Sequence, residues 1–128
     1  MVPYVPLAKL AAVFLVLAAA APAAAEGEAA RGKRVFNKCK ACHLLEDTGK
    51  KKIGPHLAGI FGRKAGSIAG FRYSKAMNKA DIVWDDKTID AYIAAPRKFL
   101  KGNKMAFAGV RKAKDRADVI AYLKEATR

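Results

Sequence analysis

Apolar residues fall along this chain in one unbroken block and several short periodic ones. Leu10 to Ala21 is continuously apolar, whereas later segments place apolar side chains at helical intervals. Val35, Phe36 and Cys39 share such spacing, which predicts a short amphipathic helix over Glu28–Lys40 running into the cysteines. Gly32 is costly inside that helix unless something packs closely against it. Tyr73–Met77 suits one or two helical turns. Ile89, Tyr92 and Ile93 share a face of a helix that Asp85 and Asp86 can cap and Pro96 ends. Asp115–Thr127 carries Val119, Ile120, Tyr122, Leu123 and Ala126 along one side, the clearest helical pattern present. Leu44–Gly70 holds six of the ten glycines together with Pro55 and reads as loop, as does a lysine-rich stretch ending at Gly109. Strand alternation is weak throughout, and no internal repeat is visible. The expectation is an all-α domain with long Gly-rich loops.

The early apolar block changes the picture of what the domain is. Lys9, the run Leu10–Ala21, Pro22 and then Ala23, Ala24 and Ala25 follow the grammar of an export signal, with cleavage expected before Glu26. The block is short of the ~20 residues a spanning helix needs, and no basic cluster follows it closely. The expected division is residues 1–25 as a cleaved signal and 26–128 as one domain in the periplasm, with no stable membrane insertion. Removing Lys9 takes the 25 basic side chains to 24 against 11 acidic ones, a formal +13. A helical domain of this length has a thin core, and a large apolar cofactor would staple it.

Candidate chemistry concentrates in CKACH, Cys39–His43. A Cys39–Cys42 disulfide would close a tiny loop and constrain little of the unfolded chain. A dithiol redox motif normally accompanies a βαβ pattern, which is missing, and a zinc site wants four ligands where three stand together, with His56 a doubtful fourth. None of these uses the histidine after the second cysteine. Covalent haem attachment does: cysteines three apart on one helical turn reach one edge of a porphyrin, and the next imidazole rises to the iron. For a sixth ligand the soft or nitrogen donors are Met77, Met105, His56 and several lysines. Spacing does not choose between the two methionines, either of which could fill core.

The stretches GKRVFNKCKACH, KIGPHLAGIFGRKAGSIAGFRYSKAM, VWDD, YIAAPRKFLKGNKMAFAGV and DVIAYLKEAT occur in the order found in class I c-type cytochromes of the mitochondrial and short bacterial type. From Ala29 onward the chain resembles that family. The resemblance implies an all-α fold of three to five helices, with loops wrapped round one covalently bound haem c. It implies thioether attachment at Cys39 and Cys42, with His43 and Met105 as axial ligands. Pro55 would accept a hydrogen bond from His43. Tyr73 and Trp84 would bond a haem propionate with Arg63 as balancing charge, and Tyr92 would pack near the Met105 sulfur. Asn103 stands where the family often has a propionate-bonding threonine. Gly32 and Phe36 would cross the last helix against Val119 and Tyr122. Departures from the mitochondrial pattern are Ala95 for asparagine, Lys101 for proline, Met77 for asparagine and a Phe36–Cys39 spacing one residue shorter. They point to a bacterial branch.

Such a protein is expected to be a monomeric one-electron carrier and not an enzyme, since His plus Met closes both axial positions; a small haem peroxidase is the enzyme-class alternative. Lys38, Lys51, Lys52, Arg97, Lys98, Lys104 and Lys112 lie beside the two ligand segments, where the resemblance places an exposed haem edge. They would steer the molecule onto acidic surfaces of a cytochrome bc complex, an oxidase, a reaction centre or a periplasmic dehydrogenase. No nucleic-acid-binding motif accompanies the basic balance.

Overall fold

A computed structural model describes Met1, Pro3 and residues 26–128, so the expected signal falls almost wholly outside the described residues. Five α-helices occur among them: α1 (Ala29–Val35), α2 (Lys75–Lys79), α3 (Asp86–Ala94), α4 (Pro96–Phe99) and α5 (Ala113–Ala126). The only ladder contact among the described residues is an antiparallel bridge between Lys64 and Val83. None of these helices is long and apolar enough to cross a membrane.

Local sequence explains most boundaries. Ser74 caps α2 by accepting from the Met77 N–H at 3.0 Å. Asp85 and Thr88 form a reciprocal capping box at the start of α3, each accepting from the other's N–H at 2.8 Å. Pro96 ends α3 as expected, yet it also opens α4 at the first helical position, where its missing N–H costs nothing. That short helix was not anticipated. The first helix also stops sooner than its periodicity suggests. It tightens into a 3₁₀ turn over Phe36–Lys38, and the chain then turns through the cysteines.

The dominant contact is between α1 and α5. An ideal Cβ on Gly32 would stand 1.9 Å from the Asp118 carbonyl oxygen and 2.8 Å from the Tyr122 Cβ, so only glycine permits this approach. Phe36 packs beside it with its ring 5.6 Å from that of Tyr122, in a cluster with Val119 and Leu123 that also touches Cys39. Asp118, 1% exposed, bolts the crossing. Its carboxylate accepts from the Glu28 N–H at 2.6 Å, the Arg31 Nε at 2.9 Å and the Lys114 Nζ at 2.6 Å. A second cluster of Ile60, Ala65, Met77, Trp84, Ile89 and Ile120 fills the space between α5, α3 and the loops.

Gly32→Ala is expected to lower unfolding free energy by about 1–3 kcal/mol in urea titration, because the added methyl meets backbone that cannot step aside. Acid sensitivity follows from the bolt. The cations and N–H around Asp118 hold its carboxyl well below the usual carboxylate range, so its stabilisation is complete above the unfolded-state pKa of about 4 and disappears as pH falls through the depressed folded value. Asp118→Asn should be less stable at neutral pH and show a flatter loss of stability below pH about 4, measured by urea midpoints across the acid range.

Candidate functional site

The turn that follows the 3₁₀ segment gathers CKACH. The Cys39 carbonyl accepts from both the Cys42 and the His43 N–H at 3.0 Å, so the two cysteines and the histidine share one helical turn. Cys39 and Cys42 are free, partly buried thiols, and burial pushes the Cys39 thiol up, with Lys38 opposing. The long loop then folds back: Gly54 N–H bonds the Cys42 carbonyl and Leu57 N–H the Leu44 carbonyl, both at 2.8 Å.

That return brings Pro55 to His43. The imidazole Nδ1 lies 2.7 Å from the Pro55 carbonyl, which can only accept, so Nδ1 carries the proton and Nε2 keeps its lone pair. Burial lowers the His43 pKa, which favours the neutral ring. Gly54 backs the ring so closely that an ideal Cβ there would stand 2.4 Å from His43 Cε1. A neutral imidazole with one nitrogen anchored and the other bare is a prepared metal ligand. With two thiols on the same turn, it fits the expected attachment of a haem.

The aromatic residues expected near a haem come together in the core. Trp84 is buried, its ring 5.1 Å from that of Tyr92, and its backbone N–H donates to the Arg63 carbonyl at 2.9 Å. Arg63 is held by the carbonyls of Ala58 at 2.6 Å and His56 at 3.0 Å; burial lowers its pKa, while Tyr73 opposes that shift. The Tyr73 hydroxyl accepts from the Ile68 N–H at 3.3 Å. Burial raises the Tyr92 phenol to about 12, so it stays protonated at neutral pH.

The structure places the remaining donor candidates differently. Met77, 9% exposed, is core filler packed with Ile60, Ala65 and Trp84. Met105 instead lies half-buried on the loop between α4 and α5. His56 points its Nε2 at Asp47, 3.6 Å away, while its buried Nδ1 has no partner. Asn103 is bonded within the chain: its amide Nδ2 donates to the carbonyls of Pro96 and Leu100 at 2.8 Å each.

Lys38, Lys51, Lys52, Arg97, Lys98, Lys104 and Lys112 are all exposed, and none takes part in an ion pair among the described residues. The acidic partners of those pairs are taken instead by Arg31, His56, Lys64, Lys114, Arg116 and Lys124. Sequence reasoning missed Ile53, which is 83% exposed at the end of the Lys50–Lys52 run. The signal was there in the apolar residue that closes a lysine cluster.

Comparison with known proteins covers the same span. Residues 29–127 match the family model described as cytochrome c. Cytochrome c of Chlamydomonas reinhardtii is 50% identical over 102 residues, which is 79% of this chain and 91% of that protein. Cytochrome c2 of Rhodomicrobium vannielii is 43% identical over 115 residues, 90% of this chain and 92% of the relative. Cytochrome c2 iso-2 of Magnetospirillum fulvum is 51% identical over 89 residues, 70% of this chain and 92% of the relative.

Proposed function

Because the chain belongs to the cytochrome c family, whose members carry electrons through one covalently attached haem c, we propose that it is a periplasmic shuttle with iron held between His43 and Met105. It is an electron-transfer protein and not an enzyme. When bound, the haem supplies one iron that moves between ferric and ferrous states. The chain's own residues attach, orient and bury that group.

The observation that carries the reading is the 2.7 Å contact between His43 Nδ1 and Pro55 O, on the same turn as Cys39 and Cys42. It fixes tautomer and ring direction before any ligand is bound, which keeps rearrangement small when the charge on iron changes. Met105 is the distal ligand in this reading: it is the loop methionine, whereas Met77 is committed to the core. Its thioether favours ferrous iron and a high potential. Tyr73 and Trp84, with Arg63, attend the propionate side, and Tyr92 lies on the methionine side.

Export through residues 1–25 agrees with this role. The match to the Rhodomicrobium vannielii cytochrome c2 spans 115 residues, more than the 103 that follow Ala25, so it extends into the expected signal. The donor is a quinol-oxidising cytochrome bc complex or a periplasmic dehydrogenase, and the acceptor a terminal oxidase, a reductase or a photosynthetic reaction centre. The unpaired cations on the two ligand segments, with Ile53 as an apolar contact among them, form the face offered to acidic partners.

Visible spectra of the exported protein test the ligand set. The ferric form should show the weak far-red band of methionine-ligated haem. Met105→Ala should keep the haem attached, lose that band and lower the reduction potential; an unchanged spectrum would show that Met105 is not the ligand. Steering is tested with ferricyanide, a small anionic oxidant, in stopped flow. The oxidation rate of the ferrous protein should fall as ionic strength rises, and Lys98→Glu combined with Lys52→Glu should slow it at low salt on the order of tenfold. A rate indifferent to salt and to both substitutions would leave the cations as a solubilising surface.

A further inference from the structure

Asn103 is the most heavily bonded side chain on the loop that carries Met105. The helix before it, α4, has four residues and is closed by the Leu100 N–H on the Pro96 carbonyl at 3.0 Å. The Asn103 Nδ2 donates to two carbonyls in this stretch, those of Pro96 and Leu100, at 2.8 Å each. Its Oδ1 accepts from the Met105 N–H at 2.8 Å and lies 3.5 Å from the Tyr92 hydroxyl. Carbonyls on one side and an N–H on the other fix which end of the amide is which. One side chain thus joins α4, the Met105 backbone and, at longer reach, α3.

The turn it staples is otherwise soft. Asn103 N–H bonds the Leu100 carbonyl at 3.1 Å, and Gly102 between them has φ of +89° while Lys101 does not have positive φ. That is a type II turn, in which proline at the second position would stiffen the backbone and lysine does not. Leu100 has an extended backbone, φ −133° and ψ 90°, outside the α region that a following proline disfavours. The far end of the loop is held separately, by Val110 N–H on the Ile93 carbonyl at 2.7 Å.

We infer that Asn103 is a positioning residue that holds Met105 at the iron by tying α4 and the Leu100 turn to the Met105 amide, in place of backbone stiffness at Lys101. The role rests on Met105 being the distal ligand. Opening of the Met105 loop, and with it the ease with which an outside ligand takes the sixth position, is governed by this staple.

The test is imidazole titration of the ferric holoprotein, followed by loss of the far-red band. Asn103→Ala should reach half-loss at about one-tenth of the imidazole concentration the parent needs, the effect of losing a net hydrogen bond or two. Adding Lys101→Pro to Asn103→Ala should move the midpoint back toward the parent; no movement would overturn the part assigned to turn stiffness. Asp85→Ala removes the capping box of α3, weakens the fold elsewhere and should leave the midpoint at the parent value. A parental midpoint in Asn103→Ala, or an equal shift in Asp85→Ala, overturns the inference. Should Asn103→Ala not accumulate as holoprotein, Asn103→Asp keeps the acceptor for Met105 N–H, loses both donors and reads the same shift. Met105→Ala in parallel separates the two readings: if it retains the band, the ligand assignment fails and this inference with it. If it loses the band while Asn103→Ala titrates like the parent, the positioning role alone fails.

Discussion

Everything in this molecule is arranged around the point where α1 crosses α5. Gly32 lets backbone meet backbone there, and the buried Asp118 carboxylate ties the start of α1 to α5 through one N–H and two cations. A domain of this size has few such contacts to spend. Phe36, Val119 and Leu123 seal the crossing, and Cys39 packs directly against them. The cysteine-histidine turn therefore begins from a fixed platform rather than from a loose loop.

Attachment and ligation use opposite strategies on the two sides of the candidate haem. On the His43 side, geometry is local: one turn carries three functional side chains, and a returning loop supplies Pro55 to orient the ring. On the Met105 side, a glycine-containing loop has one turn and the Asn103–Met105 bond of its own, and is tied to α4 at Asn103 and to α3 at Val110. This difference suits an electron carrier, whose ligands must stay put through a change of charge. In the proposed ligation it also makes the methionine side the one where a few hydrogen bonds would decide the balance between closed and open iron.

Surface charge is divided in the same economical way. Asp118, Asp90 and Asp86 pair with Arg31, Arg116 and Lys124 and so join α5 to α1 and α3, while Lys114 pairs with Asp118 within α5. The cations flanking the cysteines and Met105 are left without such pairs, so the net positive charge is expressed beside the redox centre. A field concentrated there orients an approaching partner as well as attracting it.

The sequence by itself determined what depends on neighbours along the chain. The cysteine-histidine spacing, the cap at Asp85, the helical periodicities of α3 and α5, and the lysine clusters were all legible, because spacing and local hydrogen bonding carry their own physics. Gly32 announced a close contact without naming what it met. Only the tertiary structure decided matters whose partners lie far off in sequence. It buried Asp118 against residues some 90 positions away and committed Met77 to the core. The short α4 was hidden for another reason: four residues show no periodicity, and the same Pro96 that ends α3 starts it.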